Sequence, residues 1–565
     1  MKLLARSHGR IPFLMALLVL LPLDALAQVT GPVVPGAGSI LQQIQPPTPP
    51  APSSSGTGLR IEREGAAKLP PSAPFEVKTI QISGSTLFDA PTLHALVADA
   101  EGKALTLSQL DELAARVTGY YRSHGYALAR AIIPAQTIAS GIVRMEIIEA
   151  RYGKVGLDNR SRVKDQLLQD TLAPLQSGQA ISQRKLDHAL LLLSDIPGVA
   201  VDATLKPGES VGTSDLAVEA APGPAVSGNV TLDSYGNRYT GRARVGGTVN
   251  FIDPLHHGDV LSLVGLSSGS GMNYGRIAYD TLLNGRGTRL GGSYSALHYI
   301  LGGAFAPLNG HGTAEVESLF VKHPLVRSRD VNLYGEIQYN RLKLSDHIDI
   351  SAIRTDRHLD DWTASLSGDA PDALLSGGVN TWNVAWNTGR VGFDDSAAQL
   401  ADAATARTEG GFSKWTASFA RLQRLSAKSA MLLTLFGQWA NANLDASKKI
   451  VAGGPYTVRA YDMGAVSGDS GYVGTAELRH ELGQAWQGQW QAVAFIDSAH
   501  LTVNKTAWAA GTNSATLRGA GLGLNWWGQN RWSARFYVAT PIGSVPALVA
   551  GTASARAWLE IGKGF

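Results

Sequence analysis

The residues best suited to specific chemistry lie in one run, Gly453-Gly454-Pro455-Tyr456-Thr457-Val458-Arg459-Ala460-Tyr461-Asp462, followed by Gly468-Asp469-Ser470-Gly471. An arginine between a valine and a small residue, behind two glycines, suits a charge fixed by folded backbone. What such a guanidinium does well is bidentate pairing with a carboxylate, not making or breaking bonds. The run sits between strand-like segments at 431–438 and 472–479, so by composition it reads equally as an ordinary hairpin loop. Other candidates are weaker. His256-His257 follows Pro254 and reads as a solvated turn before a metal site. The glycines of Gly519-Ala520-Gly521-Leu522-Gly523 alternate as in a strand, where they ease curvature and close packing. No phosphate-binding loop, zinc-protease helix motif or nucleophile elbow is present. The chain has no cysteine, which removes thiolate metal sites, disulfides and cysteine nucleophiles. No catalytic residue, metal or cofactor is therefore expected. A net charge of +3 over 565 residues gives no concentrated basic face, so no nucleic-acid partner is expected either.

The elements that must position these residues follow from periodicity. From 223 to 565 helical spacing disappears, and alternating segments of ~10 residues are separated by Gly, Asn, Asp and Ser turns, the pattern of a transmembrane barrel. Counting gives about sixteen antiparallel strands at a spacing of ~21 residues each. The 63 glycines, about 11% against a usual ~7%, suit that architecture. In the last strand Ala555, Ala557, Leu559, Ile561 and Phe565 share one face, and Arg556, Trp558 and Glu560 the other. Lys563 interrupts the apolar row near the strand end, where its amine can reach the interface. In 487–497 the even residues, Gly488, Trp490, Ala492, Ala494 and Ile496, belong against lipid, so Phe495 and Asp497 face the lumen.

Ahead of the barrel the texture differs. Residues 1–27 read as a signal peptide: Lys2, Arg6 and Arg10, then an apolar run, then Ala25-Leu26-Ala27. Residues 28–74 read as a Pro-rich extension unable to fold alone, with a short apolar island at Ser39-Ile40-Leu41-Gln42-Gln43-Ile44. Residues 75–150 follow the order β-α-α-β-β. Their second helix begins near Thr106 and places Leu110, Leu113, Ala114, Val117 and Tyr121 on one face. Residues 151–222 repeat the order, with Leu186, Ala189, Leu190 and Leu193 on the face of a second helix.

Taken together, Gly453-Gly454, Val458-Arg459-Ala460-Tyr461 and Ser467-Gly468-Asp469 resemble the signature loop (451–470) of two-partner secretion transporters, the TpsB family. Phe495-Ile496-Asp497 is similar to that family's Phe-x-Asp motif, and the run 323–329 to its strand-start motif. The two small units resemble its paired POTRA domains, and the resemblance spans the mature chain in order. Ala460 departs from the glycine usual in the wider superfamily. The resemblance implies an outer-membrane barrel whose periplasmic POTRA domains capture the N-terminal secretion domain of a large exoprotein, which the barrel conducts without ATP. It also implies that Arg459 pairs with Asp497 and that a plug helix lies near 38–45. Lipid and the barrel assembly machinery would be further partners, with Phe565 as the C-terminal assembly signal. A barrel insertase of the same superfamily would be expected to carry more POTRA units, typically five. A passive porin has no need of the Arg459 loop, and a secreted β-sandwich enzyme would show a catalytic constellation.

Overall fold

In the computed structural model residues 34–44, 56, 58–61, 72–138, 140–549, 551 and 553–565 are described. The expected signal peptide lies outside the described residues. Among those described, no helix is long and apolar enough to cross a membrane.

Sixteen antiparallel strands close into one barrel, from Val226–Asp233 through to Arg556–Gly564. The last strand returns to the first, pairing Asn229 with Gly564 and Asp233 with Glu560. Closure leaves no unpaired backbone edge, which a hydrocarbon environment would penalise heavily. Alternation sorts the side chains. Leu319, Ile337, Ile496 and Leu522 point outward with 56%, 58%, 59% and 68% of their surface exposed. Residues of opposite parity face a polar lumen. Trp386 lies opposite Trp415, and Trp415 opposite Trp439, in register on neighbouring strands. Exposed Trp486, Trp527 and Trp532 gather at the far end of the wall, near the tight turns at 486–487 and 529–531. Two aromatic rows at opposite ends of an apolar wall match a bilayer's two interfaces. Phe565 follows the last strand and exchanges backbone hydrogen bonds of 3.0 and 3.2 Å with Gly228 of the first.

Two small α+β units precede the barrel. In the first, helix Leu107–Ser123 starts at a capping box formed by Thr106 and Gln109 and buries Leu110, Leu113, Ala114, Val117 and Tyr121. Its sheet runs Thr79–Ser83, Ile142–Ile148, Arg130–Ile132. In the second, helices Asp165–Leu172 and Gln183–Ser194 cover a sheet that includes Arg151–Asn159, Val199–Pro207 and Thr213–Pro222. That sheet has a fourth strand. Leu59–Ile61, from the stretch expected to be a plain extension, pairs in parallel with Val199–Pro207.

The run 323–329 corrects an expectation. It does not start a strand but ends the sixth barrel strand, Gly310–Arg327. A register shift between Pro324 and Val326 turns Arg327 inward. There its guanidinium, fully buried, pairs with Asp195 at 2.6 and 2.8 Å, and Asp195 sits at the end of helix Gln183–Ser194. Arg329 reaches Asp187 of the same helix at 2.8 Å. The motif thus joins the second unit to the barrel mouth.

In the first unit Glu149 is buried and accepts hydrogen bonds from Thr86 N–H (2.8 Å), Leu87 N–H (2.9 Å) and Tyr121 O–H (3.0 Å), so that it ties helix to turn. Burial pushes this carboxyl up, but the hydrogen bonds from Thr86, Leu87 and Tyr121 outweigh it and hold it below its ordinary 4.5. A carboxyl depressed in the fold contributes stability above its unfolded pKa, and that contribution disappears as pH falls through the folded value. Amide protection across 75–150, taken relative to the intrinsic exchange rate at each pH, is expected to fall as pH drops below 4.5. Glu149→Gln should be less protected at neutral pH and lack that acid step, and an unchanged step in the variant would refute the assignment.

Candidate functional site

The segment between strand Ser429–Ala440 and strand Ser470–Ala485 does not extend outward as a loop; it folds back into the barrel. Ile450–Ala452 pairs with Val466–Gly468 as a small hairpin. Ile450, Ala452, Val458, Ala460, Tyr461 and Val466 pack against inward residues of the wall, among them Val473, Val493, Phe495, Leu501 and Leu517. Gly453 and Gly454, at φ of +102° and +105°, turn the chain at the hairpin's entrance. A Cβ on Gly453 would lie 2.3 Å from the Asp462 carbonyl oxygen, so a side chain there meets both strain and a clash. The Thr457 hydroxyl accepts the Gly453 N–H at 2.9 Å and Gly454 N–H donates to the Tyr461 carbonyl at 3.1 Å, which closes the tip.

Arg459 lies at this tip, 4% exposed. Its Nη2 is 2.7 Å from Asp497 Oδ1 and its Nε 2.9 Å from Asp497 Oδ2, a bidentate pair. The Arg459 backbone N–H donates to the same carboxylate at 3.1 Å. Thr475, directly opposite Asp497 on the neighbouring strand, donates its hydroxyl at 3.0 Å. The free end of the guanidinium reaches Glu477 at 2.7 Å, and Arg479 holds the other oxygen of Glu477 at 2.7 Å. The guanidinium carbon stands 3.4 Å from the centre of the Phe495 ring, so Phe495 and Asp497, two apart on one face, supply a cation-π floor and a counter-charge together. From the last strand, the indole N–H of Trp558 donates to the Arg459 carbonyl at 2.7 Å.

Ala460 fits because of its neighbour. A Cβ on Gly519 would come within 2.5 Å of the Ala460 methyl. The wall is bare at the point where the loop tip carries its extra carbon.

Asp462 was not singled out in the sequence, yet it gathers three arginines. Arg556 of the last strand holds it at 2.5 and 2.8 Å, Arg242 at 2.8 Å and Arg238 at 3.4 Å. Asp469 ties the base of the segment, accepting the N–H groups of Leu444 (3.0 Å) and Lys505 (2.7 Å) and pairing with Lys449 (2.8 Å). Glu477 was also missed, although pleat parity places it on the lumen face with Thr475.

A second body shares the lumen, the helix Ala37–Ile44. Ile40 and Leu41 pack into a cluster with Tyr274, Leu297, Tyr299 and Leu344 of the wall. Its first N–H, on Ala37, donates to Asp346 at 2.7 Å, and Arg357 joins Asp346 (2.8 Å) to Asp445 of the infolded segment (2.6 Å). Gln42 donates to the Ser447 carbonyl at 2.5 Å, and Gln43 accepts from Asn237 at 2.9 Å. Among the described residues no group of acidic, cysteine or histidine side chains could hold a metal. His256 and His257 lie in the turn between Asp253 and Asp259, near Lys164 of the second unit.

Residues 212–526 match the family described as haemolysin secretion/activation protein ShlB/FhaC/HecB. Residues 75–150 match the POTRA domain of ShlB type. The heme/hemopexin transporter protein HuxB of Haemophilus influenzae (strain 86-028NP) is 26% identical over 446 residues, 78% of this chain and 79% of that protein. The outer membrane transporter CdiB of Dickeya dadantii is 25% identical over 499 residues, 84% of each. The solved structure of CdiB from Escherichia coli superposes with a TM-score of 0.71 at 21% identity, over 89% of this chain and 92% of that one.

The two carboxylates on Arg459 give an asymmetric expectation. Arg459→Ala leaves Asp497 and Glu477 without their shared cation, a loss of about 3–5 kcal/mol where water is excluded. It should release the tip without unfolding the wall, read as new protease cleavage within 441–469 at unchanged heat-modifiable gel mobility. Exchanging the charges, Arg459→Asp with Asp497→Arg, should restore protection only in part, because Asp at 459 would face Glu477. Full restoration would mean that Glu477 contributes nothing.

Proposed function

Because the chain belongs to the haemolysin secretion/activation family of outer-membrane transporters, we propose that it exports one large exoprotein by way of a lumen that is closed at rest. It is an outer-membrane two-partner secretion barrel, with its POTRA region in the periplasm. In the proposed reading the two small units capture the exoprotein's N-terminal secretion domain, and residues 151–222 act as a second POTRA domain. The polypeptide then crosses the barrel extended and folds outside. No bond is made or broken and no nucleotide is consumed. Folding beyond the membrane would bias the direction, because a folded chain does not re-enter. Lipid surrounds the wall, and the barrel assembly machinery would insert it using the terminal strand that ends at Phe565.

The observation that carries this reading is a lumen occupied by two separable bodies, the infolded segment around Arg459 and the helix Ala37–Ile44. A passive porin has no use for either. The helix AGSILQQI carries no charged side chain, so it can leave the pore without stranding a charge in the wall. We assign it the role of plug and the Arg459–Asp497 pair the role of latch for the resident segment.

The test is export of a co-expressed large exoprotein encoded beside this chain. Arg459→Ala, and separately deletion of 75–150, should each cut secretion roughly tenfold or more while the barrel still reaches the outer membrane. Equal secretion by all three chains would favour a passive pore. Deleting 37–44 should raise conductance in planar bilayers, whereas an unchanged trace would remove the plug assignment.

A further inference from the structure

A strand that only crosses a bilayer needs about ten residues, and four consecutive strands of this barrel are much longer. Gly310–Arg327, Asn332–Ile348, Ile353–Asp372 and Gly378–Phe393 hold 18, 17, 20 and 16 residues. Tyr339 and Trp362 stand opposite each other on the outward face, ring centres 5.0 Å apart, where aromatic side chains mark the interface. The wall continues outward from them to Ile348 and Ile353.

Beyond that aromatic pair the outward face changes from apolar to charged. Glu317, Arg341, Asp360 and Arg390 lie in register across the four strands, and one pleat further out come Glu315, Lys343 and His358. The intervening residues point the other way. Leu342, Leu344 and Leu359 are buried in the lumen cluster that also holds Ile40 and Leu41. With its inner side packed, the outer side presents a fixed grid, spaced ~4.8 Å between strands and ~7 Å along each.

The grid belongs to this sector. Among the described residues, the outward faces of the other barrel strands carry one lysine, arginine, aspartate or glutamate in their extracellular halves, Arg518. The cations of the grid also have capacity to spare. Arg341 keeps 52% of its side chain exposed and lies 3.9 Å from Asp360. Lys343 and Arg390 are exposed, and neither forms an ion pair among the described residues.

Cations just outside an aromatic belt meet lipid headgroups. The outer leaflet of an outer membrane is built from phosphorylated glycolipid, whose phosphates are bridged by divalent cations. Guanidinium and ammonium groups fixed at that height take the place of those cations, and the fork of an arginine matches phosphate oxygens. The carboxylates between them suit a layer that itself carries both signs, where a purely basic face would hold any polyanion. We propose that the outward face of these four strands, centred on Arg341, Lys343 and Arg390, binds the phosphorylated headgroups of outer-leaflet glycolipid. The lipid then grips the barrel on the side whose inner surface seats the helix Ala37–Ile44.

The test uses the full chain purified in detergent, mixed with bisphosphorylated lipid A and passed over gel filtration, with lipid phosphate measured in the protein peak. Arg341→Gln, Lys343→Gln and Arg390→Gln together should cut the retained lipid roughly tenfold or more, at unchanged heat-modifiable gel mobility. The same loss of charge at the periplasmic turns, Arg424→Gln with Lys428→Gln and Arg531→Gln, should leave retention at the parent's level. Dephosphorylated lipid A should be retained poorly, and excess inorganic phosphate should not displace the phosphorylated form. Equal retention by the parent and the first variant overturns the proposal. An equal loss in both variants also overturns it, because net charge alone would then decide. Displacement by inorganic phosphate would show a site for the free anion instead of the lipid. No exoprotein enters the measurement, so its failure leaves the transport reading untouched.

Discussion

A sixteen-stranded barrel is wider than its own inward side chains can fill, and the rest of the structure answers that constraint. Lipid fixes the outside: every backbone group must be paired within the wall, and every outward residue must tolerate hydrocarbon. Nothing comparable fixes the inside. An open lumen would breach the membrane, so it has to hold something, and that filling must be specific without being permanent. The chain meets the first need with charge and the second by choosing which body carries the charge.

The infolded segment carries it. Arg459 with Asp497 and Glu477, Asp462 with Arg238, Arg242 and Arg556, and Asp469 with Lys449 attach one segment to widely separated parts of the wall and to the loops above it. Asp462 is notable for its position. Arg238 and Arg242 follow the first strand and Arg556 begins the last. A single carboxylate thus bridges the seam where Asn229 to Asp233 pair with the closing strand, with backbone hydrogen bonds at Gly228 and Ser234 on either side. That seam has less backbone pairing than its neighbours, and side-chain electrostatics reinforce it from within.

Much of this was legible in the sequence wherever a period repeats. The strand count, the buried face of helix Leu107–Ser123 and the lumen direction of Asp497 all follow from spacing, because burial selects residue type at every second or every third to fourth position. Legibility ended where a contact depends on no period. Glu477 has the parity of the lumen face, but nothing in one dimension says that a loop arginine spans two strands. Asp462 meets Arg238 across 224 positions and Arg556 across 94. Leu59–Ile61 is three residues long, too short for alternation to register, and it is a strand only because a sheet edge is there to receive it. The run 323–329 misled for a different reason: likeness to a strand-start motif does not say which end of a strand the residues occupy, and here they end one, over a bulge between Pro324 and Val326.

The two lumen bodies differ in how they could leave. Withdrawing the helix Ala37–Ile44 re-exposes Ile40 and Leu41, about 1.5–3 kcal/mol each, and breaks a few neutral or singly charged hydrogen bonds. Asp346 loses the Ala37 N–H but keeps the Tyr299 hydroxyl at 2.6 Å and Arg357 at 2.8 Å, so no charge is abandoned. Withdrawing the infolded segment would separate Arg459 from two buried carboxylates and Asp462 from three guanidinium groups, each step exposing unpaired charge. The cheaper motion belongs to the helix, and the helix is also the body connected by polypeptide to the periplasmic units. In the proposed transport reading, physical cost and covalent connection therefore favour the helix as the moving part, with the Arg459 segment as the frame against which it would move.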